Sequence, residues 1–370
     1  MGCALALSSW LLMSCNGDDK PVGTPVFVAG APATHGVFDA ALTQDVSGGL
    51  WMSYSTVNFS SNDPVLPRVD TRIASSSNAG NNWTDTGVAP YTPPGEFQLP
   101  HQGSLRWAAW QYEVSRILYD ASAPPNLRWK LFWHRYLRPN FGGPNDSQFQ
   151  HGWIGVATAS APTGPWSPER NLLVGTFYDS ANNVILGAPE YTSASLAISD
   201  CPIFTEPGAL AVANNIYISL KCAGGTVGKV VLLRCNNDLT GCTYRGDLLL
   251  NSEAAQFTPI GQSSYDGFSA TELVTVNSIH YLIVTPTFAD AYRGCLVFQI
   301  ADLNTAALVR RAVSGTPPVL IKSVSGTPGS FNGACGYTAA ASASGIIYSE
   351  FQILGGAPQF GLYRSGVTLP

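Results

Sequence analysis

Three acidic residues in separate parts of the chain are the first candidates for chemistry. Asp39 lies in the sequence FDAAL, Glu113 in WQYEV and Glu206 in FTEPG. Two carboxyl groups in one apolar cavity repel each other, so one keeps its proton near neutral pH while the other ionises. Such a pair can act as general acid and general base. The alternative is structural, with the acids capping strand ends or pairing with arginines such as Arg116.

The segments that carry these acids belong to a unit that recurs along the chain. From Thr24 onward, units of short strands follow one another at intervals of about 40 to 70 residues, a period typical of propellers and solenoids. Each unit begins with a strand of small residues, continues with an aromatic-rich strand and ends with two further strands. The predicted first strands are 37–42, 113–119, 206–213, 271–276 and 337–341.

The fifth unit has only three strands, and the early strand 25–29 has no unit of its own. Pairing that strand with the fifth unit closes a ring, which removes exposed sheet edges. The sequence therefore predicts an all-β fold, a five-bladed β-propeller closed by an N-terminal strand, as a single domain over residues 24–370. A pair of β-sandwiches is the alternative, but five units of four strands fit poorly into two layers.

The innermost strands of a propeller line its central channel, so their first residues meet at one mouth. Asp39, Glu113 and Glu206 hold matching places on the predicted inner strands of blades one, two and three. We therefore expect the three acids to share one pocket. Glu272 is the corresponding acid on blade four.

The overall composition agrees with this architecture and excludes some partners. Only 12% of the 370 residues are charged, while Gly and Pro number 37 and 26, as in a turn-rich chain of short strands. The formal net charge of −5 argues against nucleic acid as the main partner. Five scattered histidines give no spacing suited to zinc. We expect a monomer.

The N-terminal segment has the features of an export signal. The apolar run 4–13 is too short to span a bilayer, and it leads into Leu12-Met13-Ser14-Cys15. This resembles the lipobox of bacterial lipoproteins, which implies a signal and tether over residues 1–23 and a lipid anchor on Cys15 at the cell envelope. No Lys or Arg precedes the run, so an apolar core strand is the alternative.

Six further cysteines suit an exported protein and allow fifteen pairings. Cys235 and Cys242 flank a loop of hairpin size, and Cys201 and Cys222 bracket a two-strand unit. We pair these first, which leaves Cys295 with Cys335.

The acid-bearing strands resemble those of five-bladed glycoside hydrolases of the family 43 type, which include arabinanases, arabinofuranosidases and xylosidases. The resemblance covers most of residues 25–370 but rests on short motifs. It implies inverting hydrolysis of a polysaccharide or oligosaccharide, with Asp39 as base, Glu206 as acid and Glu113 as the residue that tunes the acid. The match is divergent, because Glu113 stands where the family has Asp and Pro-Gly after Glu206 replaces Gly-Pro.

Further side chains on or near blade two are candidates for substrate contacts. The indole of Trp110 could stack on a sugar face, although most aromatic residues of propellers pack between blades. His101 lies in a loop before blade two, and His134 follows a strand of alternating aromatic residues. Arg116 and Glu272 are the remaining candidates. No cofactor is expected, apart from a structural Ca²⁺ ion in the central channel, as in some relatives.

Two other readings stay open. The segment SSNAGNNW, residues 76–83, is similar to the Asp box of sialidases, with Asn78 in the Asp place. That box is a turn between the third and fourth strands of a blade, so it supports the propeller more than sialidase chemistry. A glycan-binding propeller without turnover and a structural envelope protein are the non-catalytic alternatives.

Overall fold

The computed structural model describes residues 23–370 apart from 92–94, 102, 141–151, 175–176, 179–183, 187–197, 199–200, 202, 224–227, 311–316, 328–330, 341–344 and 355–356. Short strands dominate, with 3₁₀ helices at Pro125–Leu127 and Asn251–Phe257. In these ranges no helix is long and apolar enough to cross a membrane. The predicted anchor at Cys15 lies outside the described residues.

The strands form five sheets in a ring, which confirms the predicted five-bladed β-propeller. The chain begins with β1 (Thr24–Val26) and β2 (Val28–Ala29). Blade one contains β3 (Val37–Gln44), β4 (Leu50–Phe59), β5 (Pro67–Ser76) and β6 (Trp83–Asp85), with β2 parallel to β6. Blade two contains β7 (Phe97–His101), β8 (Ser104–Tyr119), β9 (Trp129–Pro139), β10 (Trp153–Ala159) and β11 (Arg170–Val174). A small hairpin of β12 (Phe177–Tyr178) and β13 (Val184–Leu186) follows.

The last three blades continue the same order. Blade three contains β14 (Ile203–Val212), β15 (Asn215–Ala223), β16 (Lys229–Asn236) and β17 (Thr243–Leu250). Blade four contains β18 (Gly267–Val276), β19 (Ile279–Phe288), β20 (Ala291–Tyr292), β21 (Cys295–Asp302), β22 (Ala307–Leu308) and β23 (Leu320–Val324). Blade five contains β24 (Asn332–Gly336), β25 (Ile347–Leu354) and β26 (Ala357–Arg364).

The ring closes as the sequence predicts. Strand β1 is antiparallel to β26, with Thr24 opposite Arg364 and Val26 opposite Leu362. Val26 is 4% exposed and packs into the core of blade one, whereas the next residue, Phe27, is 78% exposed. The strand is therefore held by its ladder and by one buried side chain.

Two predicted strands are displaced in the structure. The inner strand of blade five is Asn332–Gly336 and not 337–341. The innermost strand needs glycine at the point where its backbone approaches the backbone of the neighbouring blade. A Cβ on Gly336 would lie 2.1 Å from the carbonyl oxygen of Ala40 in blade one. In blade four, β22 is only two residues long, and β23 supplies most of the outer pairing to β21.

The three predicted disulfides and the Asp-box-like turn are confirmed. Disulfides join Cys201 to Cys222, Cys235 to Cys242, and Cys295 of blade four to Cys335 of blade five. In the turn between β5 and β6, the hydroxyl of Ser76 accepts a hydrogen bond of 2.9 Å from the backbone of Gly80. Trp83 at its end is buried.

Each of the five inner strands contains a β-bulge at the same level of the channel. The strand pairing shifts there, and one residue takes a positive φ, which a side chain disfavours. These residues are Asp39 (56°), Val114 (45°), Glu206 (58°), Ala270 (35°) and Ala334 (50°). A bulge bends its strand and changes the direction of its side chains, so this level is where the channel wall is reshaped.

Two residues beyond the bulges the channel is at its most crowded. Blades one, three and five place Ala41, Gly208 and Gly336 there, while blades two and four place Arg116 and Glu272. Arg116 donates to the carbonyl oxygen of Leu42 in blade one (2.6 Å) and to that of Ala209 in blade three (3.0 Å). Its Nη2 lies 3.0 Å from Oε1 of Glu272, and both side chains are buried. One guanidinium therefore ties four blades together.

The buried ion pair predicts strongly non-additive stability changes. Burial raises the pKa of Glu272 to about 8 although the charge of Arg116 opposes this, so the two variants are not equivalent. Glu272→Met leaves the buried guanidinium uncompensated and should lower the free energy of unfolding by about 3–5 kcal/mol, whereas Arg116→Met leaves an acid that can stay protonated and should lower it by less. The double variant should lose much less than the sum, because both charges are gone. Urea unfolding of the four proteins measures this, and additive losses would show that the pair is not coupled.

The N-terminal strand predicts a second pair of variants. Val26→Asp places a charge in the core of blade one and should lower the free energy of unfolding by more than about 3 kcal/mol. Phe27→Asp, at the adjacent exposed position, is the matched control and should change it by no more than about 0.5 kcal/mol. Equal effects in thermal or urea unfolding would contradict closure through β1.

Candidate active site

The bulges bring the three predicted acids into one group at a mouth of the channel. Asp39 and Glu206 are themselves bulge residues on β3 and β14, and Glu113 directly precedes the bulge residue Val114 on β8. They lie close enough that the charges of Glu113 and Glu206 raise the pKa of Asp39. Blades one, two and three therefore each contribute one carboxyl group to a buried group of interacting acids.

The surroundings of Asp39 favour its protonated form. Its carboxyl group is buried, and Oδ2 accepts hydrogen bonds of 3.3 Å from the hydroxyl of Ser55 and from the backbone N–H of Val114. Its own backbone N–H donates to Ser349 Oγ at 2.7 Å, which fixes the strained bulge against blade five. Burial, followed by the charges of Glu113 and Glu206, raises the pKa of Asp39 well above its usual range.

Glu206 has the opposite environment. Burial alone would raise its pKa, but the positive charge of Lys221 and three hydrogen-bond donors outweigh it, so the pKa lies below its usual range. Oε2 accepts from Ser269 Oγ and from the backbone N–H of Ala270, the latter at 2.7 Å, and Oε1 accepts from the hydroxyl of Tyr292. Glu206 is therefore ionised in the substrate-free protein.

Glu113 resembles Asp39 in its protonation. Burial, followed by the charge of Glu206, raises its pKa to about 8, against the lowering effects of the Tyr136 hydroxyl and Arg138. Its side chain is 13% exposed, the most accessible of the three. The group thus combines one acid with a lowered pKa, Glu206, and two acids with raised pKa values.

His134 lies beside this group and is uncharged. Its Nδ1 is 3.8 Å from Oε1 of Glu113, and burial lowers its pKa to about 4. Among the described residues neither ring nitrogen has a hydrogen-bond partner, and both are closed off from solvent. A direct contact between His134 and a sugar stays a prediction that requires this side of the mouth to open.

The other predicted substrate contacts are not placed at the mouth. Arg116 and Glu272 bind each other in the channel, below the acids, so neither is free to hold a sugar. The guanidinium of Arg135 covers the ring of Trp110 at 4.3 Å, which blocks stacking on that face. His101 ends β7, but its side chain lies outside the described part of the structure.

Sequence reasoning missed the residues that set the protonation of Glu206. Lys221 in β15 carries a charge within the otherwise apolar strand NIYISLKCA, and that exception was a usable signal. Its Nζ donates to Ser269 Oγ at 3.1 Å. Tyr292 belongs to the two-residue strand β20 and stacks on Phe331 at 4.4 Å. No motif marks Tyr292, because it reaches the acid from another blade.

The expected Ca²⁺ ion does not fit the residues of the channel. Within the described ranges, no group of three His, Cys, Asp or Glu side chains could hold a metal ion. The centre of the channel is already taken by the guanidinium of Arg116, whose charge is paired with Glu272. A second cation there would be repelled by the first.

No protein-family model and no curated protein matches this chain. Solved structures do match it. A thermostable family-43 glycoside hydrolase is 12% identical over 92% of this chain and 92% of its own, with a TM-score of 0.49. An endo-arabinase from Bacteroides thetaiotaomicron is 12% identical over 94% and 98%, with a TM-score of 0.48.

A family 117 glycoside hydrolase from the marine bacterium Zobellia galactanivorans is also 12% identical, over 94% of this chain and 90% of its own, with a TM-score of 0.48. At 12% identity the similarity lies in the course of the chain alone, and it does not indicate which reaction, if any, this protein catalyses. The five-bladed propeller is shown by the strand order of this protein itself, and the chain is similar in its course to structures described as family 43 and family 117 glycoside hydrolases.

Proposed function

We propose that the group of three acids hydrolyses glycosidic bonds in a polysaccharide or oligosaccharide. The observation that carries the proposal is the contrast within one buried group between Glu206, which accepts from Ser269, Ala270 and Tyr292, and Asp39, whose pKa is raised by burial. Hydrolysis of a glycoside needs one carboxyl group that donates a proton to the leaving oxygen and one carboxylate that activates water or attacks the sugar. The two requirements are met by different residues at the same pH.

The resting protonation favours one assignment of roles. Glu206 is ionised and suits the base, whereas Asp39 is protonated and suits the proton donor, with Glu113 beside it as the residue that keeps the proton in the group. This reverses the roles that the resemblance to family 43 implies.

Oε1 of Glu206 accepts only from Tyr292 among the described residues, so one acceptor position remains there for a water molecule.

A second candidate is a glycan-binding propeller without turnover. It is favoured by the number of donors on Glu206, since three hydrogen bonds hold a carboxylate firmly and weaken it as a base. With a lipid anchor at Cys15, the protein would meet glycans outside the cytoplasmic membrane, whether it hydrolyses them or only binds them.

Replacement of each acid distinguishes the roles. Both Asp39→Asn and Glu206→Gln should lower kcat/KM on natural polysaccharides by about 10²–10⁴-fold. On aryl glycosides with good leaving groups, only the variant of the proton donor keeps activity, because such groups leave without a proton. We expect Asp39→Asn to be the active one, and proton NMR of the first product to show inversion.

The exposed Asp302→Asn is the matched control and should behave as wild type. Activity of Glu206→Gln but not Asp39→Asn on the aryl substrates would restore the roles implied by the resemblance. Full activity of both variants on a substrate that the wild type cleaves would exclude this site, and sugar binding that survives both, without turnover, would support the second candidate.

The pH dependence of kcat/KM follows from the same groups. Activity should fall above about pH 8 as Glu113 loses its proton, and it should fall at low pH as Glu206 gains one. Lys221→Met removes the cation that lowers the Glu206 pKa, so the acidic limb should move up by about one pH unit while the basic limb stays. An acidic limb that does not move would show that Glu206 is not the base.

A further inference from the structure

A small cavity lies in the channel beside Asp39 and Glu272. It is lined by Asp39 of blade one, Ser115 of blade two, and Thr271 and Glu272 of blade four, together with other residues of the inner strands. The centre of a water-sized molecule has about 10 Å³ of room there, which corresponds to roughly one water molecule.

Two polar atoms of the side chains that line this cavity lack hydrogen bonds. Among the residues that the structure describes, the buried hydroxyl of Ser115 has no hydrogen-bond partner. Oε1 of Glu272 is in ion-pair contact with Arg116 but forms no aligned hydrogen bond. Buried polar atoms are nearly always satisfied by protein or by ordered water, and a site for water needs two to four polar partners. Asp39 provides a third.

We infer that one ordered water molecule occupies this cavity, bound by Ser115, Glu272 and Asp39, and that Ser115 and Glu272 thereby position Asp39 for its reaction. The inference deepens the proposed function and rests on it for the role of Asp39. The water would form a hydrogen bond with the Asp39 carboxyl group and would act as the donor when that group ionises, while Arg116 holds Glu272 in place.

Water is a better occupant than a cation. The space is too small for an ion with its own hydration shell, and the guanidinium of Arg116 already neutralises Glu272. The charged and titratable groups that act on Asp39 from the surrounding strands are Glu113, Tyr136, Glu206 and Tyr292, with Arg116 and Glu272 across the cavity. Each of them stays in place when Ser115 is replaced.

The test combines a crystal structure at high resolution with a titration that does not depend on activity. Ser115→Val fills the cavity with methyl groups and should expel the water, which removes a donor from the Asp39 carboxylate. We expect the Asp39 pKa to rise by about one unit, measured by NMR on protein with ¹³C-labelled aspartate and assigned with Asp39→Asn.

Ser53→Ala is the control, because Ser53 is a buried serine of β4 that accepts from the backbone of Ile117 and does not line the cavity. It should leave the Asp39 titration unchanged. An empty cavity in the crystal, or a shift in Ser115→Val no larger than in Ser53→Ala, overturns the inference. Because the water and the titration are observed without substrate, they test it even if no glycoside is cleaved.

Discussion

The structure depends on the convergence of five inner strands on one narrow channel. Their backbones approach so closely at Gly208 and Gly336 that a Cβ at either position would meet a carbonyl oxygen or backbone of the next blade. A strand that stayed regular could not both converge and aim side chains at the mouth. The bulge at each inner strand resolves this conflict, since the extra residue bends the strand and re-aims its side chains.

The strained bulge residues are also where the candidate chemistry lies. Asp39 and Glu206 both adopt a positive φ that costs each about 1–3 kcal/mol, and each is held by hydrogen bonds from a neighbouring blade. Strain kept in this way is typical of functional sites, because only a rigid surrounding structure can maintain it. Blades two, four and five have the same bulge with an uncharged residue, so the geometry belongs to the fold and the acids are specific additions to it.

Electrostatics then separates acids that lie in one buried group. Asp39 and Glu113 are buried with few donors, which raises their pKa values, while Lys221, Ser269 and Tyr292 lower the pKa of Glu206. Below them Arg116 and Glu272 place a compensated pair in the most crowded part of the channel. The channel therefore contains its own cation, and its closure rests on a guanidinium shared by four blades.

The amino-acid pattern was sufficient for the propeller, its closing strand, the three disulfides and the grouping of Asp39, Glu113 and Glu206, because short strands, turn residues and cysteine spacing are local signals. It misplaced the inner strand of blade five, since glycines that serve close approach resemble a loop. It also could not reveal that Arg116 and Glu272 bind each other, or that Lys221 and Tyr292 control Glu206. Those contacts join residues from different blades, and their distances and burial exist only once the ring has closed.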